Sequence, residues 1–340
     1  MRKKFSPTSR QLVSVSPEEL IKMDYLRPDQ RQPLVIQPAA GRLDLVAWAR
    51  SNRQLIEARL LQHGALLFRN FDVESAEKFE EFIQATSGGL LAYTERSSPR
   101  SRVSGRIYTS TDYPAAQRIF LHNENSYQRT FPLKIFFHCV TAAQEGGETP
   151  IADTRQIFRR LAPEIRARLA EKQYLYVRNF SAGTGLSWQT TFQTMDKTVV
   201  EAYCGDQDIE CEWLAGDRLR TRQVREVAAK HPRTGEMVWF NHLTFFHLST
   251  LEPAIQEALM REYNEADLPN HTYYGDGSSF EPSLLESLRG AYEAEKICFR
   301  WQEKDILMLD NMLTAHGREP FTGSRKVLVG MSEPWTRVIR

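Results

Sequence analysis

Apolar residues come along this chain in short runs, and the spacing inside each run predicts its element. "SNRQLIEARLLQH" (51–63) has the periodicity of an amphipathic helix, with Ser51 placed as its cap and Gly64 as its stop. "ALLFRNF" follows as a short strand, and "VESAEKFEEFI" as a second helix with Ala76, Phe79, Phe82 and Ile83 on one face. Residues 97–113, rich in Ser, Thr, Arg and Gly, read as loop and edge strand. "KIFFHCV" is a strand by its β-branched and aromatic content, and "QEGGETPIAD" turns at Gly146-Gly147. Residues 155–289 mix helices ("RQIFRRLAPEIRARLAEK", "EPAIQEALMREY") with strands ("YLYVRNF", "EMVWFN"). "KICFRW", "DILMLDN" and "RKVLVGM" then return as short strands.

Strands at both ends of a mixed middle predict a mainly β fold with helices (α+β). Its sandwich or barrel has two sheets completed by distant segments. The expectation is one domain over 1–340, with an N-terminal extension of about 1–40 and core strands over about 65–155 and 296–335. A large mixed helical insertion would occupy about 155–290.

Composition narrows the function. With 340 residues and 41% hydrophobic content the chain can bury a full core. Forty-four basic against 43 acidic residues leave a formal charge of +1, which favours neither a nucleic-acid groove nor a membrane-seeking face. No apolar segment approaches the roughly 18 residues of a spanning helix, and the basic N-terminus leads into no apolar leader. The expectation is a cytoplasmic protein. Cys139, Cys204, Cys211 and Cys298 are scattered without a C-x-x-C pair, which argues against a disulfide framework or structural zinc site.

The candidate chemistry begins in "FLHNENSYQRTFPLKIFFHC". On a strand, residues i and i+2 share a face, so His122 and Glu124 can present an imidazole and a carboxylate to one point. That is two-thirds of a 2-His-1-carboxylate facial triad, a ligand set that suits Fe(II) and leaves positions open. Among the eight histidines, His63 reads as a helix cap, His138 as core, His231 as part of a Pro turn and His271 as loop. His242, His247 and His316 remain. His316 stands out in "DILMLDNMLTAHGREPFTGSRKVLVGM", where Arg325 precedes the next strand at the same end of the fold. An arginine there can pair bidentately with a dicarboxylate bound to the metal.

"HNE", then "GGETPIADTRQIF", then "DNMLTAHGREPFTGSRKVLVGM" together resemble the taurine dioxygenase (TauD/TfdA) family of Fe(II)/2-oxoglutarate oxygenases. The glutamate variant and the phrases "YTSTDYP", "HPRTGEMVWFN" and "TYYGDGS" resemble its SyrP-type branch, related to clavaminate synthase and containing hydroxylases of amino acids and amino-acyl groups. The resemblance spans about residues 64–331 and implies a double-stranded β-helix (jelly-roll, cupin-like core) with a helical insertion.

It also implies His122, Glu124 and His316 as iron ligands, and Thr149 and Arg325 as the holders of the distal carboxylate of 2-oxoglutarate. O2 takes the last open position. Arg318 competes with Arg325 for the anchor. Glu124 occupies the place where chloride would bind in related halogenases, which disfavours halogenation. His242 and His247, in "NHLTFFH", then fall to packing around the site. Arg96, Arg100 and Arg102 read either as a solvated charge run or as a clamp for a substrate carboxylate. Asn125, Ser126 and Asn241 either orient a substrate amide or bond their own backbone.

The implied substrate is an amino acid, or an amino-acyl thioester on a carrier protein, in specialised-metabolite (nonribosomal peptide) biosynthesis. Desaturation, cyclisation or epoxidation on the same scaffold is the nearest alternative. A non-catalytic metal-binding β-barrel is the distant one.

Overall fold

The structure is a computed structural model that describes residues 19–91, 95, 100–181 and 185–337. Its largest sheet has eight strands, in the order 21–25, 34–38, 65–68, 306–310, 130–141, 326–336, 107–109 and 102–104. All pairs are antiparallel except Leu34–Pro38 beside Ala65–Phe68. The long strand Thr130–Thr141 is buried along nearly its whole length because both faces are covered. Phe136 turns to the helices, where Phe79, Phe82 and Ile83 of the helix Ala76–Ser87 pack against it. Ile135, Phe137 and Cys139 turn the other way, towards Ile151, Leu307 and Val329. Strand alternation thus divides one apolar run between two cores. Burying each large side chain of that helix face contributes roughly 1.5–3 kcal/mol.

Opposite this sheet lies a smaller one made of Ile119–His122, Thr314–Arg318 and Ile151–Asp153, with a short pair of Glu145–Gly146 and Phe321–Thr322 beside it. The two sheets face each other as a jelly roll, the architecture expected.

Two features differ from expectation. Residues 21–25 and 34–38, read as an extension, supply the outer two strands of the large sheet. Their partners lie far away in sequence, which local periodicity does not reveal. In the middle section the expected strand 174–180 is joined by three that were not expected, in a four-stranded antiparallel sheet of order 210–214, 218–225, 174–180 and 270–274. In "RLRTRQVR" the inward positions are Leu219, Thr221, Gln223 and Arg225, so polar residues on the buried face hide the alternation. Among the described residues no helix is long and apolar enough to cross a membrane.

Candidate active site

His122 ends its strand directly opposite His316 in antiparallel register, and His316 faces Ile151 on its other side. Side chains opposite one another across such a pair start about 4.5–5.5 Å apart, and the two imidazole centres lie 4.6 Å apart.

Glu124 reaches the same point by a route other than the expected strand geometry. The strand stops at His122, and Glu124 sits in the turn that follows, where Asn125 adopts a left-handed φ of 54°. Asn311 fixes that turn. Its Oδ1 accepts the Glu124 N–H at 2.8 Å, and its Nδ2 donates to the Glu124 carbonyl at 2.9 Å and to Pro132 O at 2.8 Å. Asn123 Nδ2 in turn donates to Asn311 O at 2.6 Å. The neighbouring Asp310 accepts the N–H groups of Met312 and Leu313 and lies 3.1 Å from His231 Nε2. His231, read as a turn residue, is thus buried against the end of a core strand.

The donor atoms of His122, Glu124 and His316 all lie within 4.8 Å of one another, with His316 Nε2 3.9 Å from Glu124 Oε2. His122 Nδ1 lies 2.9 Å from Phe120 O and, as the donor to that carbonyl, leaves the Nε2 lone pair for a metal. Burial, the leading cause, holds His122 below the ordinary imidazole value and His316 well below it, so both rings are neutral and able to ligate. Two imidazoles and one carboxylate fit Fe(II) with positions to spare. Arg100 donates to Glu124 Oε2 at 2.7 Å, with both side chains nearly fully buried.

Arg325 Nε donates to Gly147 O at 2.8 Å, and its terminal nitrogens reach Thr149 Oγ1 at 3.4 Å and Ser110 Oγ at 3.5 Å. Thr149 Oγ1 also accepts from Trp301 Nε1 at 3.1 Å. Among the described residues the hydrogen-bond partners of Arg325 are all neutral, and burial lowers its pKa to about 10. A half-buried cation with only neutral hydrogen-bond partners is well placed to take an anion. Gly147 is required beside it, since at φ 71° a Cβ would stand 3.0 Å from Arg325 Cδ.

Arg318, the competing anchor, is engaged otherwise. It donates to Tyr113 O at 2.8 Å, Pro114 O at 2.5 Å and Gln117 O, tying that loop down.

The triad, Thr149 and Arg325 share one cavity of about 540 Å³, which runs outward to Arg178, Phe180, Leu251, Ile255 and Leu259 of the middle section. A pattern match over residues 29–332 decides the family. The chain belongs to the taurine catabolism dioxygenase TauD, TfdA family. It is 40% identical over 279 residues to the dapdiamide synthesis protein DdaC of Enterobacter agglomerans, covering 82% of this chain and 85% of that one. It is 28% identical over 337 residues to a clavaminate synthase-like protein of Arabidopsis thaliana, covering 92% and 99%. The fold matches that of PvcB, an Fe, alpha-ketoglutarate dependent oxygenase from an isonitrile synthetic pathway. That match has a TM-score of 0.54 at 17% identity and covers 97% and 94% of the two chains. This TauD-family chain is therefore an Fe(II)- and 2-oxoglutarate-dependent dioxygenase, and the non-catalytic barrel falls away.

Several expected substrate contacts of the dioxygenase lie elsewhere. Arg96 falls outside the described residues. Arg102 sits on the exposed edge strand and donates to Gly105 O at 2.5 Å, away from the cavity. Asn241 is occupied by Val227 O and Leu243 N–H at 2.6 and 2.9 Å. Asn125 and Ser126 stand behind the cavity wall rather than on it. For Asn125 and Ser126 the cause is the turn after His122, which sends Glu124 to the cavity and its successors into the core. Arg100 and Arg318 do border the cavity, and so do His242 and His247, which sequence reasoning assigned to packing. Asn311 was missed. The only signal for it was its position directly after a buried strand, next to Asp310.

Proposed function

We propose that this dioxygenase hydroxylates an unactivated carbon of an amino acid, or of an amino-acyl group tethered to a carrier protein, in the assembly of a specialised metabolite. His122, Glu124 and His316 hold the iron, and Thr149 and Arg325 hold the distal carboxylate of 2-oxoglutarate. The observation that carries the assignment is Arg325, a half-buried guanidinium that has no carboxylate partner among the described residues and opens on the same cavity as the triad. When bound, iron with 2-oxoglutarate and O2 supplies the oxidant that replaces a C–H hydrogen by hydroxyl, releasing succinate and carbon dioxide.

The chain's own part is geometric. The strand pair sets the spacing of the two imidazoles, Asn311 sets the angle of Glu124, and Phe137 and Phe245 keep water away from the ligand edges. The amino-acid reading is supported by the relationship to a dapdiamide synthesis protein and to a clavaminate synthase-like protein. Arg100 beside Glu124 adds a cation suited to a substrate carboxylate. The tethered form is supported by the outer end of the cavity. It is bordered by Ile255 and Leu259 of a helix, Pro253–Glu262, that buries none of its residues and leaves room for an arm.

The test supplies Fe(II), 2-oxoglutarate and O2 with a panel of amino acids, each free and as its carrier-bound thioester. Succinate release and the gain of a single oxygen by mass spectrometry are followed. Gain of oxygen on one panel member supports the reading. Oxidation of the free form alone removes the carrier, loss of two hydrogens moves the outcome to desaturation or ring closure, and indifference to the whole panel overturns the substrate class.

A further inference from the structure

Beside the triad stands another imidazole that iron ligation does not use. His242 is 2% exposed and lines the cavity with its ring centre 5.7 Å from that of His122. Phe246 stacks against it at 4.8 Å, Tyr127 meets it edge-on at 5.0 Å, and its backbone N–H donates to the Tyr174 hydroxyl at 3.3 Å. The ring is therefore held in one orientation.

Its Nδ1 lies 2.5 Å from Ser126 Oγ. Ser126 has no exposed surface, and among the described residues its hydroxyl has no second partner. A hydroxyl carries one hydrogen, and a buried hydrogen without an acceptor is unfavourable enough to decide its direction. The Ser126 hydroxyl therefore donates to Nδ1. A neutral imidazole whose Nδ1 accepts carries its own hydrogen on Nε2. Ser126 lies behind the cavity wall, so the edge bearing Nε2–H turns towards the cavity, where no described residue bonds it.

His122 is arranged the opposite way. Its Nδ1 faces the carbonyl of Phe120, so its Nε2 keeps a lone pair. Two neighbouring rings thus present opposite characters to one cavity, a metal donor and a hydrogen-bond donor.

We propose that His242 is a substrate contact whose Nε2–H donates to an acceptor oxygen of the prime substrate, a carboxylate or amide carbonyl placed beside the iron. The proposal rests on the oxygenase reading above and sharpens it. The substrate group nearest the triad on this side is an oxygen acceptor and not an ammonium. Arg100, bordering the same cavity and bonded to Glu124, is a cation of the same preference. Ser126, although off the wall, acts through His242 by fixing its tautomer.

The donor character is read without substrate, from two-bond proton–nitrogen correlation spectra of the metal-free full chain labelled with 15N-histidine, with His242→Gln supplying the assignment. His242 is expected with a protonated Nε2 and a bare Nδ1, and His122 with the reverse. Ser126→Ala is expected to mix the His242 tautomers and leave those of His122 alone. A protonated Nδ1 on His242 in the wild type overturns the proposal.

The contact is read with the carboxylate-bearing panel member that best stimulates succinate release, beside the amine that lacks its carboxylate. His242→Leu is expected to raise KM for the acid about ten-fold and to leave Fe(II) and 2-oxoglutarate affinities at wild-type values. His242→Gln, which keeps an N–H donor, should recover most of the loss. Weakened Fe(II) binding in His242→Leu would make the residue a ligand, and an unchanged KM would make it packing. Either result sinks the contact. A wild type silent towards the whole panel speaks against the amino-acid reading, while the spectra still decide the donor.

Discussion

The cavity has two walls of different character. On the jelly-roll wall, the Arg325 guanidinium borders the cavity and, among the described residues, hydrogen-bonds only to neutral groups. On the middle-section wall the His242 Nε2–H is open, while Arg178, Asn179 and Asn270 are engaged within the protein. Arg178 pairs with Glu95 at 3.6 Å. Asn179 accepts from Arg220 at 2.7 Å and donates to Ala266 O and Leu268 O at 3.0 and 2.8 Å, while Asn270 accepts from the Tyr176 hydroxyl at 2.7 Å. The first wall stays incomplete until its cofactors arrive, and the second keeps one open donor, the His242 Nε2–H. Cofactor chemistry belongs to the former, and shape with a single substrate donor to the latter.

Removing a ligand breaks that contrast most severely. His122→Ala, Glu124→Ala and His316→Ala are each expected to abolish turnover and stoichiometric iron, a larger loss than the roughly 10–100-fold typical of supporting residues. Iron content and succinate release measure it, and near-normal turnover in any one of them strips that residue of its ligand role.

Arg325→Leu should raise KM for 2-oxoglutarate roughly ten- to a hundred-fold, the worth of a charge-assisted carboxylate contact, with a smaller effect on the prime substrate. Arg318→Leu should leave that KM unchanged and lower the melting temperature, because three loop carbonyls lose their donor. If the two variants exchange signatures, the anchor has been misassigned.

Asn311→Ala frees the turn that carries Glu124 and is expected to weaken Fe(II) binding about ten-fold, at the low end for a supporting residue. Calorimetric titration with Fe(II) under anaerobic conditions would show it. On the other wall, Asn179→Leu should cost about 1–3 kcal/mol of stability through unpartnered groups while KM for 2-oxoglutarate stays put. A changed KM there would erase the distinction between the walls.

The smallest effect concerns a histidine facing neither wall. Burial lowers His138 from the ordinary 6.5 to about 4, so it is neutral when folded. The unfolded chain takes up its proton first as pH falls. The associated stability is therefore complete above pH 6.5 and is lost progressively towards pH 4, about 1 kcal/mol by one unit below 6.5. Urea titrations of the metal-free chain at pH 7 and 5.5 should show a shallower decline in His138→Phe, and identical declines would remove His138 as a cause.

The chemistry was easier to read from the sequence than the geometry around it. His122 and His316 were legible because a ligand pair needs particular residue types at strand ends, and these survive as text. Glu124 was found for an incomplete reason: an i, i+2 strand argument named the right residue, although a turn delivers it. Asn311 was invisible because its work is done by one amide spanning three backbone groups far away in sequence. Asn125 and Ser126 were placed at the site by proximity in sequence, and the turn directs them into the core, while Asn241 is drawn off by Val227 O and Leu243 N–H. The outer strands at 21–25 and 34–38 escaped because their place depends on pairing with distant residues.

The register of His122 opposite His316 has a consequence for engineering. The spacing of these two side chains is set by one rung of a ladder, and side-chain direction on a strand has period two. A one-residue insertion or deletion within either strand would turn an imidazole to the opposite face rather than displace it slightly. Failure there is all-or-none. Library designers can vary the length of the loops in 155–290 while holding 119–122 and 314–318 at fixed length.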